Sequence, residues 1–343
     1  MTLLQNSKTN KIFYTSKRAD TFPLFFCALK KRSEENIVGR IEKHIKVFRM
    51  NKRKFLLLFS AVISAFSLGA CTQEQSQNDI DMRICSFNLR GVIGKDKNER
   101  SWGHRKNIVA NFLKKQDIDI CGTQESAYKQ FPALNELLSE YGYFGKSSVG
   151  EENGRVLNLV MYKKSRFKML KAQTLWLSDT PEKVSKMFDS SEPRTVTYGH
   201  FFDNKTKRDF FMFSTHFDHK GVLARPAQAK ILMQLIEKIA GNKPFVLVGD
   251  FNSGEKSEAI TYIASQKYIS DARSISKTPP VDMPHTFHGF KGHKTKVGKT
   301  FKRIDYVWVS KPSEVLSYEV SDYSENGVYP SDHYPIVCDV RLK

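Results

Sequence analysis

From residue 82 onward, hydrophobic and polar positions alternate in two kinds of pattern, one typical of helices and one typical of strands. Ile108, Val109, Phe112 and Leu113 recur at the spacing of one helix face, whereas the apolar runs elsewhere are short and typical of strands. The pattern predicts helices over 104–116, 131–139, 223–240 and 256–265, and strands over 82–89, 117–123, 156–162, 195–202, 210–216, 245–249, 301–310 and 334–342. No internal repeat or linker divides this region, so we expect one α/β domain with layered sheets over residues 82–343.

The segment before this domain has the pattern of an export signal. Met50 is followed by three basic residues at 52–54, an uncharged apolar run over 55–70, and Leu-Gly-Ala-Cys ending at Cys71. The run is shorter than the roughly 20 residues that a membrane span needs, and the arrangement is typical of a secretory signal. Leu-Gly-Ala-Cys resembles the lipobox of bacterial lipoproteins, which implies a signal peptide over 50–71 and a lipidated Cys71. An ordinary signal peptide, or a signal anchor with an incidental cysteine, is the alternative.

The position of this signal bears on the start of the protein. Because an export signal should lie near the N-terminus, Met50 is predicted to be the true start and residues 1–49 a non-native extension, with a cytoplasmic tail as the alternative. Residues 72–81 would then be a polar tether. We expect an exported bacterial lipoprotein, monomeric and anchored through Cys71 at the periplasmic face or the cell surface.

Composition and charge narrow the classes of protein. An apolar content of 40% excludes a fully disordered chain, and a formal charge of +19 at first favours nucleic-acid binding. Fourteen basic and four acidic residues lie before Cys71, which leaves 41 and 32, a net charge of +9. The charge of the exported part is therefore only a minor indication of an anionic substrate.

Three cysteines, Cys85, Cys121 and Cys338, remain after the signal, and each lies in an apolar run. Buried free thiols are the default interpretation, and a disulfide between two of them is the alternative in an exported protein. Their spacing fits no zinc pattern.

Polar clusters flank the predicted strands. Asn88, the pair at 124–125, and the clusters at 215–219 and 249–252 each follow an apolar run, and 331–333 comes just before one. Taken singly, each is typical of a turn, a cap or a solvated loop. Taken together, strands that stop at one edge place their terminal residues around one crevice, so the set indicates a site.

The joint order of these clusters resembles the endonuclease/exonuclease/phosphatase superfamily, over nearly all of 82–342. The motifs are Ser-Phe-Asn-Leu-Arg at 86–90, Gln-Glu at 124–125, Thr-His-Phe-Asp-His at 215–219, Gly-Asp-Phe-Asn at 249–252, Arg-Ile-Asp-Tyr at 303–306 and Ser-Asp-His at 331–333. Segments 175–178, 193–194 and 286–290 are similar to its deadenylase-like bacterial branch. The resemblance implies a four-layer sandwich, with two mixed β-sheets face to face and helices outside, and a divalent-metal-dependent hydrolase of phosphate esters.

The resemblance also implies roles for residues at the matching positions. Glu125, with Asn88 and Asp332, would ligate Mg²⁺ or Mn²⁺, which prefer oxygen ligands. Asp250 would orient or deprotonate the attacking water, and Asn252 would hold that water or a phosphate oxygen. His333, paired with Asp305, would bind the phosphate or act as acid and base, and His216 would be a second imidazole of this kind.

One feature departs from the family pattern. The nuclease branch supplies a carboxylate for the histidine at position 216 from a Gly-Glu pair, but the stretch here reads Asn-Gly-Arg-Val-Leu-Asn over 153–158. The partner of His216 is therefore open, and Arg155 has two open placements, toward an anionic substrate or toward solvent.

The sequence does not identify the substrate. Arg194 and Arg225 are candidate phosphate contacts, since guanidinium binds phosphate with two parallel hydrogen bonds. Trp102, Trp176 and Phe290 are candidates for stacking on a base or sugar, or for packing. A nuclease, a phosphatase of lipid, inositol or sugar phosphates, and a non-catalytic binding lipoprotein on the same fold all fit the sequence.

Overall fold

The computed structural model describes residues 79–150, 154–294 and 303–343. Twelve strands and four α-helices lie in these ranges. The strands are β1 Ile80–Asn88, β2 Ile120–Ala127, β3 Tyr141–Phe144, β4 Arg155–Lys163, β5 Phe167–Trp176, β6 Thr195–Asp203, β7 Arg208–His216, β8 Phe245–Asp250, β9 Ile269–Asp271, β10 Asp305–Ser310, β11 Glu314–Val320 and β12 Ile336–Leu342. The helices are α1 Trp102–Lys115, α2 Phe131–Leu137, α3 Ala224–Ala240 and α4 Glu258–Ala264.

The strands form two mixed sheets of six. The first has the order β11-β12-β1-β2-β4-β3, and the second has the order β5-β6-β7-β8-β10-β9. Strands β1 and β2 are parallel and are connected through α1, and β7 and β8 are parallel and are connected through α3. A parallel pair requires such a crossover, whereas the antiparallel neighbours are joined by turns and loops.

Three hydrophobic cores define four layers. One core lies between the sheets and contains the valines at 246, 248, 307 and 309 together with Ile84 and Ile120. A second lies between α1 and the first sheet, where Phe112 packs with Phe87. The third joins α3 and α4 to the second sheet. The predicted four-layer sandwich is therefore confirmed.

Alternation along the strands explains how one end of the sandwich becomes a polar site. In β8, Val246 and Val248 belong to the core between the sheets, while Phe245 and Leu247 belong to the helix side. Because side chains alternate with a period of two, Asp250 continues the inward-facing row. The same row ends in polar side chains on neighbouring strands: Asn88 on β1, His216 on β7 and Asp305 on β10.

The sheets approach each other closely beneath these residues. A Cβ atom on Gly122 would lie 2.2 Å from Cγ2 of Val248 and 3.0 Å from Cβ of Ser214. Glycine is required here because no side chain fits between the two strands.

The sequence pattern missed four strands, β3, β5, β9 and β11, which are the four edge strands of the two sheets. Edge strands are paired on one side and face solvent more, so they lack a continuous apolar row. In β5 and β11 the register also shifts, between Met169 and Lys171 and between Val315 and Ser317, which breaks the alternation.

Two of the boundaries that differ from the prediction bear on the site. Strand β2 continues to Ala127, so Glu125 lies within the strand rather than after it. Strand β10 begins at Asp305, several residues later than the predicted start at 301. Cys85, Cys121 and Cys338 are buried free thiols, as expected by default. The signal segment, Cys71 and the tether up to 78 lie outside the described residues, within which no helix is long and apolar enough to cross a membrane.

Candidate active site

A cleft of about 500 Å³ opens at the polar end of the sandwich. Its walls come from the ends of strands of both sheets and from the loops that follow them. The lining residues are Arg90, Lys95, Glu125, Glu192, Arg194, His216, His219, Asp250, Asn252, Phe287, Ile304, Asp332 and His333. Most of the residues singled out from the sequence are therefore brought together in one place.

Asp250 lies at the centre of this group. Its Oδ1 accepts the backbone N–H of Asn252 at 2.9 Å, and its Oδ2 accepts the side-chain amide of Asn88 at 3.2 Å. The same Oδ2 lies 3.5 Å from Nε2 of His216 and 3.7 Å from Nε2 of His333. Burial and the nearby Asp305 carboxylate raise the pKa of Asp250 to about 7. A carboxylate with a pKa near neutrality can accept a proton from water.

His333 and Asp305 form a buried pair. Nδ1 of His333 lies 3.0 Å from Oδ2 of Asp305, and both side chains are at most 5% exposed. Burial alone would lower the pKa of His333, but the charge and hydrogen bond of Asp305, with the charge of Asp250, raise it to about 10. His333 is therefore an imidazolium at neutral pH, with Nε2–H directed toward the side of Asp250.

His216 has the opposite character. Nε2 of His216 accepts a hydrogen bond from the side-chain amide of Asn252 at 3.0 Å, and the same amide donates to the Phe217 carbonyl. Burial, with the positive charge of Arg194, lowers the pKa of His216 well below its usual value. The two imidazoles of the cleft are thus held in different states, which separates their possible roles as acid and base.

The missing carboxylate partner of His216 is visible as an unmet hydrogen bond. Among the described residues, no group bonds to Nδ1 of His216, which is buried. The acids at 151–152 lie outside the described residues, as does the side chain of Arg155. The departure from the nuclease-branch motif therefore coincides with an orphaned ring nitrogen.

Glu125 is held in an uncommon conformation. Its φ is +52°, in the left-handed region, at a register shift in β2 between Thr123 and Ser126. Such a backbone costs on the order of 1–2 kcal/mol for a residue other than glycine, and strain of this kind clusters at functional sites. The backbone N–H of Gly91 donates to the Glu125 carbonyl at 2.9 Å, and a Cβ on Gly91 would lie 2.8 Å from that oxygen. The loop after β1 therefore holds Glu125 in place.

The oxygen ligands around Glu125 fit a hard divalent cation. One carboxylate oxygen each from Glu125 and Asp250 and a ring nitrogen of His216 lie within 4.8 Å of one another. Asn88 donates its amide to both carboxylates at 3.2 Å, while its Oδ1 accepts the N–H of Arg90. For Asn88 to supply an oxygen ligand, its amide would have to turn over.

Asp332, the third predicted ligand, forms an ion pair with Arg90. Its Oδ2 lies 3.2 Å from Nη1 of Arg90, whose other nitrogens bind Asp96. Arg90 has a φ of +49° and lines the cleft. The second group with metal-binding spacing among the described residues is Asp250, Asp305 and His333, in which the histidine already pairs with Asp305. The group around Glu125 is therefore the stronger candidate for a cation.

Asp218 organises the opposite wall of the cleft. Its carboxylate is fully buried and accepts hydrogen bonds from Nε of Arg194 and from two loops: Ser190 Oγ, Ser191 N and Oγ, Glu192 N, Lys220 N and Gly221 N. Burial alone would raise the pKa of Asp218, but the N–H of Gly221 and the Ser191 hydroxyl hold it well below its usual range. Arg194 is fixed on this carboxylate.

Arg194 in turn orients an exposed histidine. Its Nη2 donates to Nδ1 of His219 at 2.8 Å, so the ring proton of His219 is on Nε2. The predicted phosphate contact Arg225 donates to the Asp218 carbonyl at 3.1 Å and is not among the residues that line the cleft. Of the two predicted arginines, only Arg194 reaches the site.

Of the aromatic candidates, none lines the cleft. Trp176 is buried and donates to the Ser148 carbonyl, while Trp102 and Phe290 pack against Arg105. The aromatic residue of the cleft is Phe287, 46% exposed, with its ring centroid 5.0 Å from that of His333.

Several cleft residues carry no assignment from the sequence: Arg90, Lys95, Glu192, His219 and Phe287. Three of these, Arg90, His219 and Phe287, lie inside the motifs at 86–90, 215–219 and 286–290. The motif positions were the available signal, but which of their side chains face the cleft depends on the loop conformations.

Comparison with known proteins agrees with this geometry. The profile of the Endonuclease/Exonuclease/phosphatase family matches residues 85–333, so the chain belongs to this family. Members of the family are phosphoester hydrolases that generally use divalent metals.

Two solved bacterial structures are similar over the whole of their own length. An endonuclease/exonuclease/phosphatase from Bacteroides vulgatus is 31% identical, with a TM-score of 0.70 over 77% of this chain and 100% of its own. The mannosyl-6-phosphatase Bt3783 of Bacteroides thetaiotaomicron is 29% identical, with a TM-score of 0.69 over 76% of this chain and 99% of its own.

Nocturnins are more distant relatives. The human protein is 23% identical over 262 residues, 69% of this chain, and the alignment covers 58% of the human protein. The Drosophila melanogaster nocturnin is also 23% identical, and 47% of its length is covered. This chain thus spans about half the length of these relatives.

Proposed function

We propose that the protein is a hydrolase of phosphate esters that depends on Mg²⁺ or Mn²⁺. The observation that carries the proposal is the position of Asp250, which lies within hydrogen-bond or near-contact distance of Asn88, His216 and His333. Attack of water on a phosphate ester requires a base, and positive charge to stabilise the developing negative charge. The Asp250 carboxylate can act as the base, and the His333 imidazolium and the candidate cation site lie beside it.

The ligands of the cation would be Glu125 and, after rotation of its amide, Asn88, which leaves the Asp250 carboxylate available as the base. When bound, the ion would polarise a phosphoryl oxygen and offset the negative charge that develops on it.

The other steps of the reaction are assigned to side chains of the protein. Asp250, with its pKa near 7, orients the attacking water and takes its proton. The His333 imidazolium donates Nε2–H to a phosphate oxygen, and Asp305 keeps it charged and oriented. Asn252 fixes both Asp250 and the ring of His216, whose unprotonated Nε2 is a hydrogen-bond acceptor. Arg194 and the His219 Nε2–H hold the part of the substrate beyond the phosphate.

Charge compensation in the cleft favours a small substrate. Of the three Lys and Arg side chains that line the cleft, Arg90 is paired with Asp96 and Asp332 and Arg194 with Asp218, which leaves Lys95. Binding of nucleic acid depends on unpaired basic side chains that replace counterions on many phosphates. We infer that the substrate is a phosphate monoester of a small hydroxylated compound such as a sugar.

The lining of the cleft and one structural relative support this inference. Glu192 and His219 can accept from and donate to hydroxyl groups, and Phe287 offers an apolar ring face. The Bacteroides thetaiotaomicron relative named as a mannosyl-6-phosphatase has the same fold over nearly its full length.

An activity panel with metal titration tests the proposal. The purified protein is assayed with p-nitrophenyl phosphate, its bis-ester, hexose phosphates, DNA and RNA, with Mg²⁺, Mn²⁺ or chelator, at low and high salt. We expect metal-dependent release of phosphate from monoesters that changes little with salt. Faster, steeply salt-dependent cleavage of DNA or RNA would assign a nuclease instead. Absence of both hydrolysis and millimolar Mg²⁺ binding by calorimetry would support the non-catalytic binding protein.

We further propose that the protein is an exported lipoprotein anchored through Cys71. The basic, apolar and small-residue pattern over 50–71 supports this. Mass spectrometry of the N-terminal peptide of the native protein is the test: a diacylated or triacylated Cys71 is expected. Peptides from residues 1–49 in cell extracts would contradict the assignment of Met50 as the start.

A further inference from the structure

Arg105, in the first turn of α1, has an unusual set of partners. Its side chain is fully buried, and all five of its N–H groups donate to main-chain carbonyls. The acceptors are Arg100 O at 2.7 Å from Nε, Leu89 O at 2.9 Å and Pro330 O at 2.7 Å from Nη1, and Arg90 O at 2.7 Å and Gly91 O at 3.1 Å from Nη2.

Four of these five carbonyls belong to the two segments that lead to the Glu125 side and the His333 side of the cleft. Residues 89–91 follow β1 and include Arg90, and the N–H of Gly91 holds the carbonyl of Glu125. Pro330 directly precedes Ser331, Asp332 and His333, and the Ser331 hydroxyl donates to the Asn88 carbonyl. The guanidinium of Arg105 is thus the junction between the Glu125 side and the His333 side of the cleft.

Burial of the charged Arg105 side chain is energetically unfavourable. Arg105 forms no ion pair within the described residues, and its partners are all neutral carbonyls. Burial lowers the pKa of Arg105 to about 10, which shows the cost of the charge. The rings of Trp102 and Phe290 lie 5.6 and 5.5 Å from the guanidinium and exclude water. Apolar packing in its place would remove the donors of five main-chain carbonyls, so the arginine ties the conformations of these segments to one another.

We propose that Arg105 is a positioning residue for catalysis, which sets the separation of the Glu125 and His333 sides of the cleft. The proposal rests on the proposed function of this site. An arginine is required because its planar group presents five donors in fixed directions, whereas a lysine has three and no such geometry. An error of about 1 Å in the placement of reacting groups costs on the order of 100-fold in rate.

The test compares Arg105→Lys with Arg166→Lys in the full-length protein. Arg166 is a matched control because it is also largely buried, bonds Asp119, Asp203 and the Asp81 carbonyl, and stacks on Phe167 at 4.8 Å. Its partners Asp81 and Asp119 lie at the start of β1 and just before β2, the ends opposite to those that reach the cleft, and Arg166 does not line the cleft. Four quantities are measured for each variant: Tm, kcat on the best monoester, the Mg²⁺ concentration for half-maximal activity, and amide hydrogen exchange at Leu89 and Gly91.

We expect both variants to lower Tm, but only Arg105→Lys to lower kcat, by about 10- to 100-fold, and to raise the Mg²⁺ requirement. The amides of Leu89 and Gly91, which donate to Gln124 and Glu125, should exchange faster in Arg105→Lys alone. Equal loss of Tm in the two variants, with kcat and exchange at Leu89 and Gly91 unchanged, would overturn the proposal and leave Arg105 a stabilising residue.

Two measurements keep the outcome decisive. If Arg105→Lys does not fold, Gly91→Ala displaces the same loop from the other side, since its Cβ would lie 2.8 Å from the Glu125 carbonyl. It should then show the same loss of kcat, and an unchanged kcat would overturn the proposal.

If the wild-type protein hydrolyses no phosphate ester, the proposed function fails. Hydrogen exchange and Mn²⁺ affinity by calorimetry then still report whether Arg105 holds the two segments.

Discussion

The replacement Asp305→Asn removes one charge from the His333 pair while keeping the size of the side chain. In the wild-type protein, a pKa raised from 6.5 to about 10 corresponds to roughly 5 kcal/mol in favour of the imidazolium. Asp305 is the largest of the contributions that raise it, and Nδ1 of His333 lies 3.0 Å from its Oδ2. Without this charge, burial favours the neutral ring, so His333 should lose its proton at neutral pH.

The assay is the pH dependence of kcat/KM on a monoester at saturating metal, from pH 5 to pH 10. The wild-type protein should retain the activity that depends on the imidazolium until the pH approaches 10. In Asp305→Asn the alkaline loss should begin below neutrality, with a decrease of about 10²- to 10⁴-fold at pH 8.

The same pair makes a prediction for stability. Because the folded-state pKa of His333 is raised, its contribution is complete below the unfolded value of 6.5 and is lost as the pH rises through about 10. The difference in unfolding free energy between wild type and Asp305→Asn should therefore be large at pH 6 and small at pH 10, as measured by urea denaturation. An unchanged pH profile and an equal stability difference at both pH values would refute the assignment of His333 as an imidazolium held by Asp305.

Four other replacements test separate parts of the site and the fold. Asp250→Asn should lower kcat by about 10²- to 10⁴-fold with an unchanged circular dichroism spectrum; wild-type turnover would exclude it as the base. Glu125→Gln should raise the Mg²⁺ concentration for half-maximal activity at least about tenfold, and an unchanged metal titration would place the ion elsewhere. Phe287→Ala should raise KM for a sugar phosphate by about 2- to 12-fold with kcat retained; an unchanged KM would mean that the ring does not contact substrate. Gly122→Val should cost about 1–3 kcal/mol in urea unfolding, because its Cβ would lie 2.2 Å from the Val248 side chain.

The ends of apolar runs made part of the site predictable. Asn88, His216 and Asp250 each end or follow such a run in the sequence, but the packing of the sheets decided that these side chains and Asp305 lie on the inner face. The four edge strands were not predictable in this way. Their partly exposed positions and register shifts remove the alternation that burial on a face would impose.

The loops were decided by contacts between distant parts of the chain. Arg194 and Arg225 are equal candidates in the sequence, yet the carboxylate of Asp218 fixes only Arg194 in the cleft. Likewise, Asp332 was expected at a metal, but the loop after β1 presents Arg90 to it. No local pattern encodes these pairings, because each depends on which buried group another loop brings within hydrogen-bond distance.

By itself, the sequence determined the fold class, the family resemblance and the residue types at the strand ends, because hydrophobic alternation and short motifs are local properties of the chain. Only the tertiary structure decided that Glu125 lies inside β2 with a left-handed backbone, and that His333 is charged while His216 is not. The physical reason is that a pKa is set by burial and neighbouring charges, and a strained φ is held by surrounding packing and hydrogen bonds. Both kinds of neighbour come from residues far apart in the sequence.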